Sequence, residues 1–148
     1  RSTAAEAVFD RMLARWPGRI KPGVVSDQAW AFWDFLPTAA ELAGATAPAD
    51  IDGISIVPTL LGHPQKQHDY LYWEFHEGAK SRQAVRMGDW KAVRFGGPGK
   101  PIELYDLRSD GSEKNNVAGS RTDVVARTTA ILDSARTQNP TWPIKSGQ

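Results

Sequence analysis

The rhythm of apolar and polar positions changes after Gly62. Before it, apolar residues follow helical spacing interrupted by proline and glycine. Residues 3–14 predict a helix, alanine-rich and loosely spaced at Ala7, Met12 and Ala14. It stops at Trp16-Pro17-Gly18, because proline restricts Trp16 to extended geometry and glycine suits a turn. Pro22-Gly23 marks another turn. A second helix is predicted from Asp34, whose carboxylate can accept first-turn amides; Pro37 is tolerated there because that position lacks a carbonyl partner. Its apolar side is Leu36, Ala39, Ala40 and Ala43, with Gly44 as the stop. Residues 46–52 read as a loop, and residues 54–61, broken by Pro58, as a short helical turn.

After Gly62 the pattern becomes that of strands. Residues 70–75 form an unbroken aromatic run, which predicts a strand covered on both faces. Residues 81–87 and 90–95 flank Gly88-Asp89, the glycine-first pair of a two-residue type II′ hairpin. Residues 102–107 alternate as a further strand, residues 108–119 are a polar loop, and Thr122 or Asp123 caps a helix with Val124, Thr128, Ile131 and Ala135 on one side. Pro140 and Pro143 end it, leaving an extended tail. The second half is therefore a small antiparallel sheet followed by one amphipathic helix, an α+β arrangement.

Composition then narrows the class. The chain has 148 residues, a net charge of +1, 41% hydrophobic residues and no cysteine. That is long enough to bury a core. The even charge balance argues against a nucleic-acid surface, and the missing cysteines exclude a disulfide framework or thiolate zinc site. No apolar run reaches the roughly 20 residues that span a bilayer. With Glu6 and Asp10 in its alanine-rich start the chain shows no signal-peptide pattern, and as it stands it reads as cytoplasmic. Six tryptophans, ordinarily core residues, also fit flat sugar-facing surfaces.

The hairpin makes one sharp chemical statement. A two-residue loop sets Met87 opposite Trp90, Arg86 opposite Lys91, Val85 opposite Ala92 and Ala84 opposite Val93. Two cations directly across a ladder repel unless an anion covers them. A sulfate, a carboxylate substrate or Glu74 could be that anion; alternatively both side chains splay into water. His76 ends the aromatic strand between Glu74 and Glu77, where rigid elements present side chains to ligands, with a satisfied surface histidine as the plain alternative. His63 and His68 lack a carboxylate at helical spacing and read as structural or surface residues. Asp50 and Asp52 supply too few oxygens for calcium and read as turn residues. Gly96-Gly97-Pro98-Gly99, between two strands, reads as a mobile loop and not as a phosphate grip. No Gly-x-Ser-x-Gly elbow or His-Glu-x-x-His pattern is present, and these residues alone assemble no catalytic site.

Four stretches carry a likeness when taken together and in order. They are Met12-Leu13-Ala14-Arg15-Trp16-Pro17-Gly18-Arg19-Ile20-Lys21-Pro22-Gly23; then Asp34-Phe35-Leu36-Pro37-Thr38 with Glu41-Leu42-Ala43-Gly44 and Ile51-Asp52-Gly53 through Pro58-Thr59-Leu60-Leu61-Gly62. The others are Tyr72-Trp73-Glu74-Phe75 with Ala84-Val85-Arg86-Met87-Gly88-Asp89-Trp90-Lys91, and Glu103-Leu104-Tyr105-Asp106-Leu107 with Asp110, Glu113, Asn115 and Asn116. Over residues 12–136 the chain resembles the C-terminal part of the type I, formylglycine-dependent sulfatases, the arylsulfatase family of sulfuric ester hydrolases.

The resemblance implies a four-stranded antiparallel sheet packed on a C-terminal helix, preceded by the last strand and helix of a sulfatase α/β domain. Residues 1–65 would be the end of that domain and a linker, and residues 66–148 the C-terminal subdomain. Met12 to Trp16 would then be a strand, not a helix end. The family uses calcium and a formylglycine made within a Cys/Ser-x-Pro/Ala-x-Arg signature. No serine here begins that pattern and neither calcium cluster has a counterpart, so no catalytic or metal residue carries over. The chain is expected not to be catalytic alone, since sulfate ester cleavage needs an activated nucleophile and a charge clamp. Glu74, His76, Arg82, Arg86 and Lys91 carry over as candidate substrate-rim or anion-binding positions. Alternatives are a stand-alone binding module for anionic or sulfated sugars, or the C-terminal half of a split sulfatase. Trp30, Phe32, Trp33 and Phe35 would pack on the large sheet of a complete sulfatase, so residues 30–42 predict self-association, as a symmetric dimer, in its absence. Sulfated small molecules or glycans are the expected ligands, with no nucleic-acid or membrane partner. Members of the family are often exported, which leaves the compartment open.

Overall fold

The structure, a computed structural model, describes residues 12–76 and 78–146. It divides into two units, one within Arg11–Asp69 and one within Tyr70–Gln148.

In the first unit, the turn at Pro17-Gly18 forms as the sequence predicts. Gly18 lies at φ 77° and Ile20 N–H donates to the Trp16 carbonyl at 2.9 Å. The helix expected over residues 3–14 falls mostly outside the described residues, and its described end, Met12 to Ala14, is not helical. Nor is Met12 to Trp16 the strand implied by the resemblance. A strand satisfies its amides only against a neighbour, and here Leu13 stands 97% exposed.

A single 3-10 turn, Phe32–Asp34, leads into α1, Phe35–Leu42. The Asp34 carboxylate does not cap α1 as predicted. Its Oδ2 accepts the amide of Ala31 and its Oδ1 the amide of Ile54, both at 2.8 Å, so it ties the entry of the helix to a loop 20 residues later. That bond turns the Asp34, Pro37 and Thr38 side inward and leaves Leu36 and Ala43 exposed, reversing the expected apolar side. Gly44 does end the helix in left-handed geometry, φ 67°, with Ala45 N–H bonded to the Ala40 carbonyl at 2.8 Å. The short helix α2, Val57–Leu60, forms with Pro58 in its first turn. Thr38 Oγ1 links the two helices, donating to the Asp34 carbonyl and accepting the Ile56 amide. Gly53 is obligatory here, since a Cβ on it would stand 2.3 Å from the Trp33 carbonyl oxygen.

The second unit is a meander of four antiparallel strands in sequence order: β1 Leu71–Phe75, β2 Arg82–Met87, β3 Trp90–Phe95 and β4 Ile102–Asp106. The β2–β3 register is the predicted one at all four positions. Gly88 has φ 60° and Asp89 does not share the positive sign, as a glycine-first II′ turn requires. Helix α3, Thr122–Ser134, covers one face of the sheet. The core is Val85, Ala92 and Leu104 from the sheet with Val124 and Leu132 from α3. Leu132, four residues beyond the buried Thr128, takes the deep position expected of Ala135. Neither Thr122 nor Asp123 makes a side-chain cap; both lie inside the first turn, and Arg121 before them rests its guanidinium 5.4 Å from the Trp90 ring centre.

Because α3 covers only one face, β1 is not buried on both sides. Trp73 and Phe75 alternate onto the open face and are 38% and 49% exposed. None of the six tryptophans is fully buried. The glycine loop after β3 is not the free hairpin the sequence suggests. Gly96 and Gly97, both at positive φ, are buried beneath the C-terminal tail, which returns to bridge Lys80 at Ser146. At the other side, the edge of β4 is closed by the polar loop: Leu104 N–H donates to Asn116 Oδ1 at 3.1 Å and Val117 N–H to the Leu104 carbonyl at 2.8 Å.

Candidate functional site

Strand parity sorts the five candidate residues. Val85 and Ala92 define the helix-covered face, so Glu74, paired with Gln83, shares it. Arg82, Arg86 and Lys91 occupy the opposite, open face. Glu74 is thus on the wrong side of the sheet to neutralise Arg86 and Lys91.

On the helix-covered side Glu74 is the centre of a polar cluster. Its carboxylate accepts the Tyr72 hydroxyl at 2.6 Å, His76 Nε2 at 2.7 Å and Arg136 Nε at 2.8 Å. Burial alone would push this carboxyl up, but the three donors more than offset that and hold it below its ordinary value. The same contact raises the Tyr72 phenol, first through burial and then through the bond to Glu74. His76 Nδ1 lies 2.8 Å from Ser81 Oγ. Hydroxyl, imidazole and carboxylate therefore stand in a row, yet Ser81 is fully buried and its oxygen also accepts the Lys145 amide at 2.7 Å. A hydroxyl sealed in that way cannot meet a substrate. The chemistry available to Glu74 and His76 is positional: they fasten the end of β1 to the tail after α3.

A second polar group, missed by the sequence reading, lies alongside. Arg94, on the core face between Ala92 and the glycine loop, is wholly buried. Its guanidinium donates to Gln83 Oε1 at 3.0 Å, to Asp133 Oδ1 at 2.6 Å and to the Leu132 carbonyl at 3.2 Å. Its parity with Ala92 was the available signal, because a cation two places from a core alanine on one strand shares the buried face.

On the open face, Arg86 and Lys91 stand directly opposite each other, as the hairpin demands. The anion over Lys91 is Glu113, whose Oε1 accepts from Nζ at 2.6 Å. Arg86 turns its Nε to the Gly88 carbonyl at 3.1 Å. Glu113 reaches Lys91 from a loop organised by Asp110, whose Oδ2 accepts the amides of Lys114 and Asn115 at 2.8 and 2.7 Å. Those backbone bonds hold the Asp110 carboxyl below its usual range. Glu113 is the one non-glycine residue at positive φ, 53°, among the described residues. Farther along the face Arg82 pairs across strands with both Phe75 and Phe95, and its guanidinium lies 5.7 Å from the Phe95 ring centre. Cations and exposed aromatic rings share this surface.

In the first unit His68, read as structural or surface, sits with Nε2 at 2.9 and 3.0 Å from the two oxygens of buried Asp34. Among the described residues no three His, Asp or Glu side chains converge into a group that could hold a metal ion. No described helix is long and apolar enough to cross a membrane.

Comparison with known proteins agrees with this architecture. Residues 3–138 match the family described as "N-sulphoglucosamine sulphohydrolase, C-terminal". An ulvan-active sulfatase of Formosa agariphila is 45% identical over 146 residues, covering 73% of this chain and 28% of that protein. Human arylsulfatase A is 32% identical over 91% of this chain and 30% of its own length. Among solved structures, a 2-O GAG sulfatase superposes with a TM-score of 0.62 at 35% identity, covering 69% of this chain and 23% of that one. The chain thus spans less than a third of the relatives it matches. It belongs to the sulfatase family and carries that family's C-terminal region.

Proposed function

We propose that this chain serves a sulfuric ester hydrolase as the wall of its substrate cleft, contributing cations that meet a sulfated sugar while the nucleophile and metal sit on the preceding part of such an enzyme. The observation that carries this reading is the sheet face opposite α3, where Arg82, Arg86 and Lys91 share one side with the exposed rings of Trp73, Phe75 and Phe95. The named specificities of the relatives, ulvan and GAG sulfatases, support sulfated polysaccharides as the ligand class. Glu74 and His76 act from the other face as positioning residues that hold the end of β1.

The test is complementation. The purified chain is mixed with a sulfatase polypeptide bearing the Cys/Ser-x-Pro-x-Arg signature and assayed on an aryl sulfate and a sulfated oligosaccharide. Turnover should require both polypeptides, and Arg82→Ala with Arg86→Ala should raise KM for the oligosaccharide more than for the aryl sulfate. Turnover by the chain alone overturns the proposal.

The same reading gives the outer side of α1 a partner. Phe32, Phe35, Leu36 and Leu42 are 86%, 64%, 52% and 47% exposed, large apolar side chains that a partner surface would cover. In a longer sulfatase the remainder of the α/β domain covers it; in the chain on its own, a second copy does.

A further inference from the structure

We infer that the Arg86–Lys91 pair is an oxyanion site whose resident ligand is the chain's own Glu113 carboxylate, and that a tetrahedral oxyanion such as a sulfo group competes with it. The inference rests on the open face being the ligand-facing wall. Three observations carry it. The hairpin register places the two cations directly opposite each other, a repulsive arrangement that an anion between or above them relieves. Glu113 supplies that anion at 2.6 Å, its side chain only 5% exposed, so the contact is built and not a chance surface pair. To deliver the carboxylate, the loop holds Glu113 at φ 53°, a left-handed geometry that side-chain-bearing residues avoid. The Asp110 bonds and the Lys91 ion pair together hold that unfavoured backbone state, and an external anion that takes over Lys91 removes the side-chain part of that hold.

Arg86 completes the argument. Its Nε bond runs to the Gly88 carbonyl, and its position across from Lys91 leaves its charge uncompensated by the Glu113 contact. The Glu113 carboxylate therefore serves only Lys91, whereas a sulfo group presents three oxygens to share between the two cations.

The experiment uses the full chain and three variants: Glu113→Gln, Glu113→Gly, and Glu113→Gln combined with Lys91→Met. Thermal stability is followed against sodium sulfate, with sodium chloride at matched ionic strength as the blank. A sulfated monosaccharide and its unsulfated parent form a second arm that separates free sulfate from a sulfo group on a sugar. Both single variants should respond to sulfate at roughly tenfold lower concentration than the wild type, because they lose a charge-assisted competitor. The double variant should lose that gain. A response equal to wild type, or one that survives Lys91→Met, overturns the inference. Should Glu113→Gln fail to fold, Glu113→Gly, which relieves the backbone, carries the test, and failure of both to fold in sulfate also overturns it. If sulfate responds as expected but Arg82 and Arg86 variants leave the complemented KM unchanged, the site stands and the cleft-wall reading falls.

Discussion

The guanidinium of Arg94, fully buried beneath α3, meets the carboxylate of Asp133 at 2.6 Å, and that carboxylate is still half open to solvent. The pair is asymmetric, and so are its mutational consequences. Arg94→Ala removes a buried cation, leaves Gln83 Oε1 without its donor and opens a cavity, for a cost of about 3–5 kcal/mol. Asp133→Asn keeps the shape, and water reaches the site, so about 1–2 kcal/mol is expected. Denaturant midpoints at constant slope measure both.

Acid should weaken the second unit through Glu74. Its folded-state carboxyl lies below the usual 4.5 despite burial, held down by Tyr72, His76 and Arg136. A depressed carboxyl contributes stability that is fully present above the unfolded value and is lost as pH falls through the folded one. Stability should therefore drop as pH falls below 4.5, and Glu74→Gln should flatten that part of the curve while lowering the plateau at neutral pH. A pH series of thermal melts on both proteins shows the difference.

Gly97 and Gly99 make a matched pair for separating backbone strain from contact. Both sit at positive φ, 87° and 79°, but a Cβ on Gly97 would stand 2.4 Å from Ile144 Cγ2, whereas nothing lies within 4 Å of one on Gly99. Alanine at Gly99 carries only the left-handed cost, about 1–2 kcal/mol. At Gly97 it adds overpacking of about 1–3 kcal/mol and should push the tail away. Faster hydrogen exchange at the Ser81 amide, which donates to the Lys145 carbonyl at 2.9 Å, would report that displacement.

Association of the isolated chain should run through α1. Light scattering over a concentration series should give a dimer, and Phe35→Asp, at a position 64% exposed, should restore the monomer with little change in thermal stability. A monomer at all concentrations in the unaltered chain counts against a second copy on that face.

The sheet and its register were legible because a two-residue turn leaves no freedom: once Gly88-Asp89 is recognised, every pairing from Met87–Trp90 to Ala84–Val93 follows. The β1–β2 connection is longer and fixes no parity. The pattern along the chain therefore does not tell the face of Glu74 from that of Arg86, although they lie on opposite sides. Asp34 shows a different limit. Its position before a helix invites a cap on that helix, but the amides it serves are those of Ala31 and Ile54, and a bond over 20 residues leaves no periodic trace. Glu113 was visible only as part of a motif; its role depends on a backbone angle that sequence does not display.

The closed edge of β4 has a bearing on how copies of this chain can meet. With both backbone groups of Leu104 engaged by Asn116 and Val117, an incoming strand finds no ladder to join at that flank. Lateral growth into a continuous ribbon is blocked there, and a second copy approaching this flank would meet loop side chains in place of a free ladder.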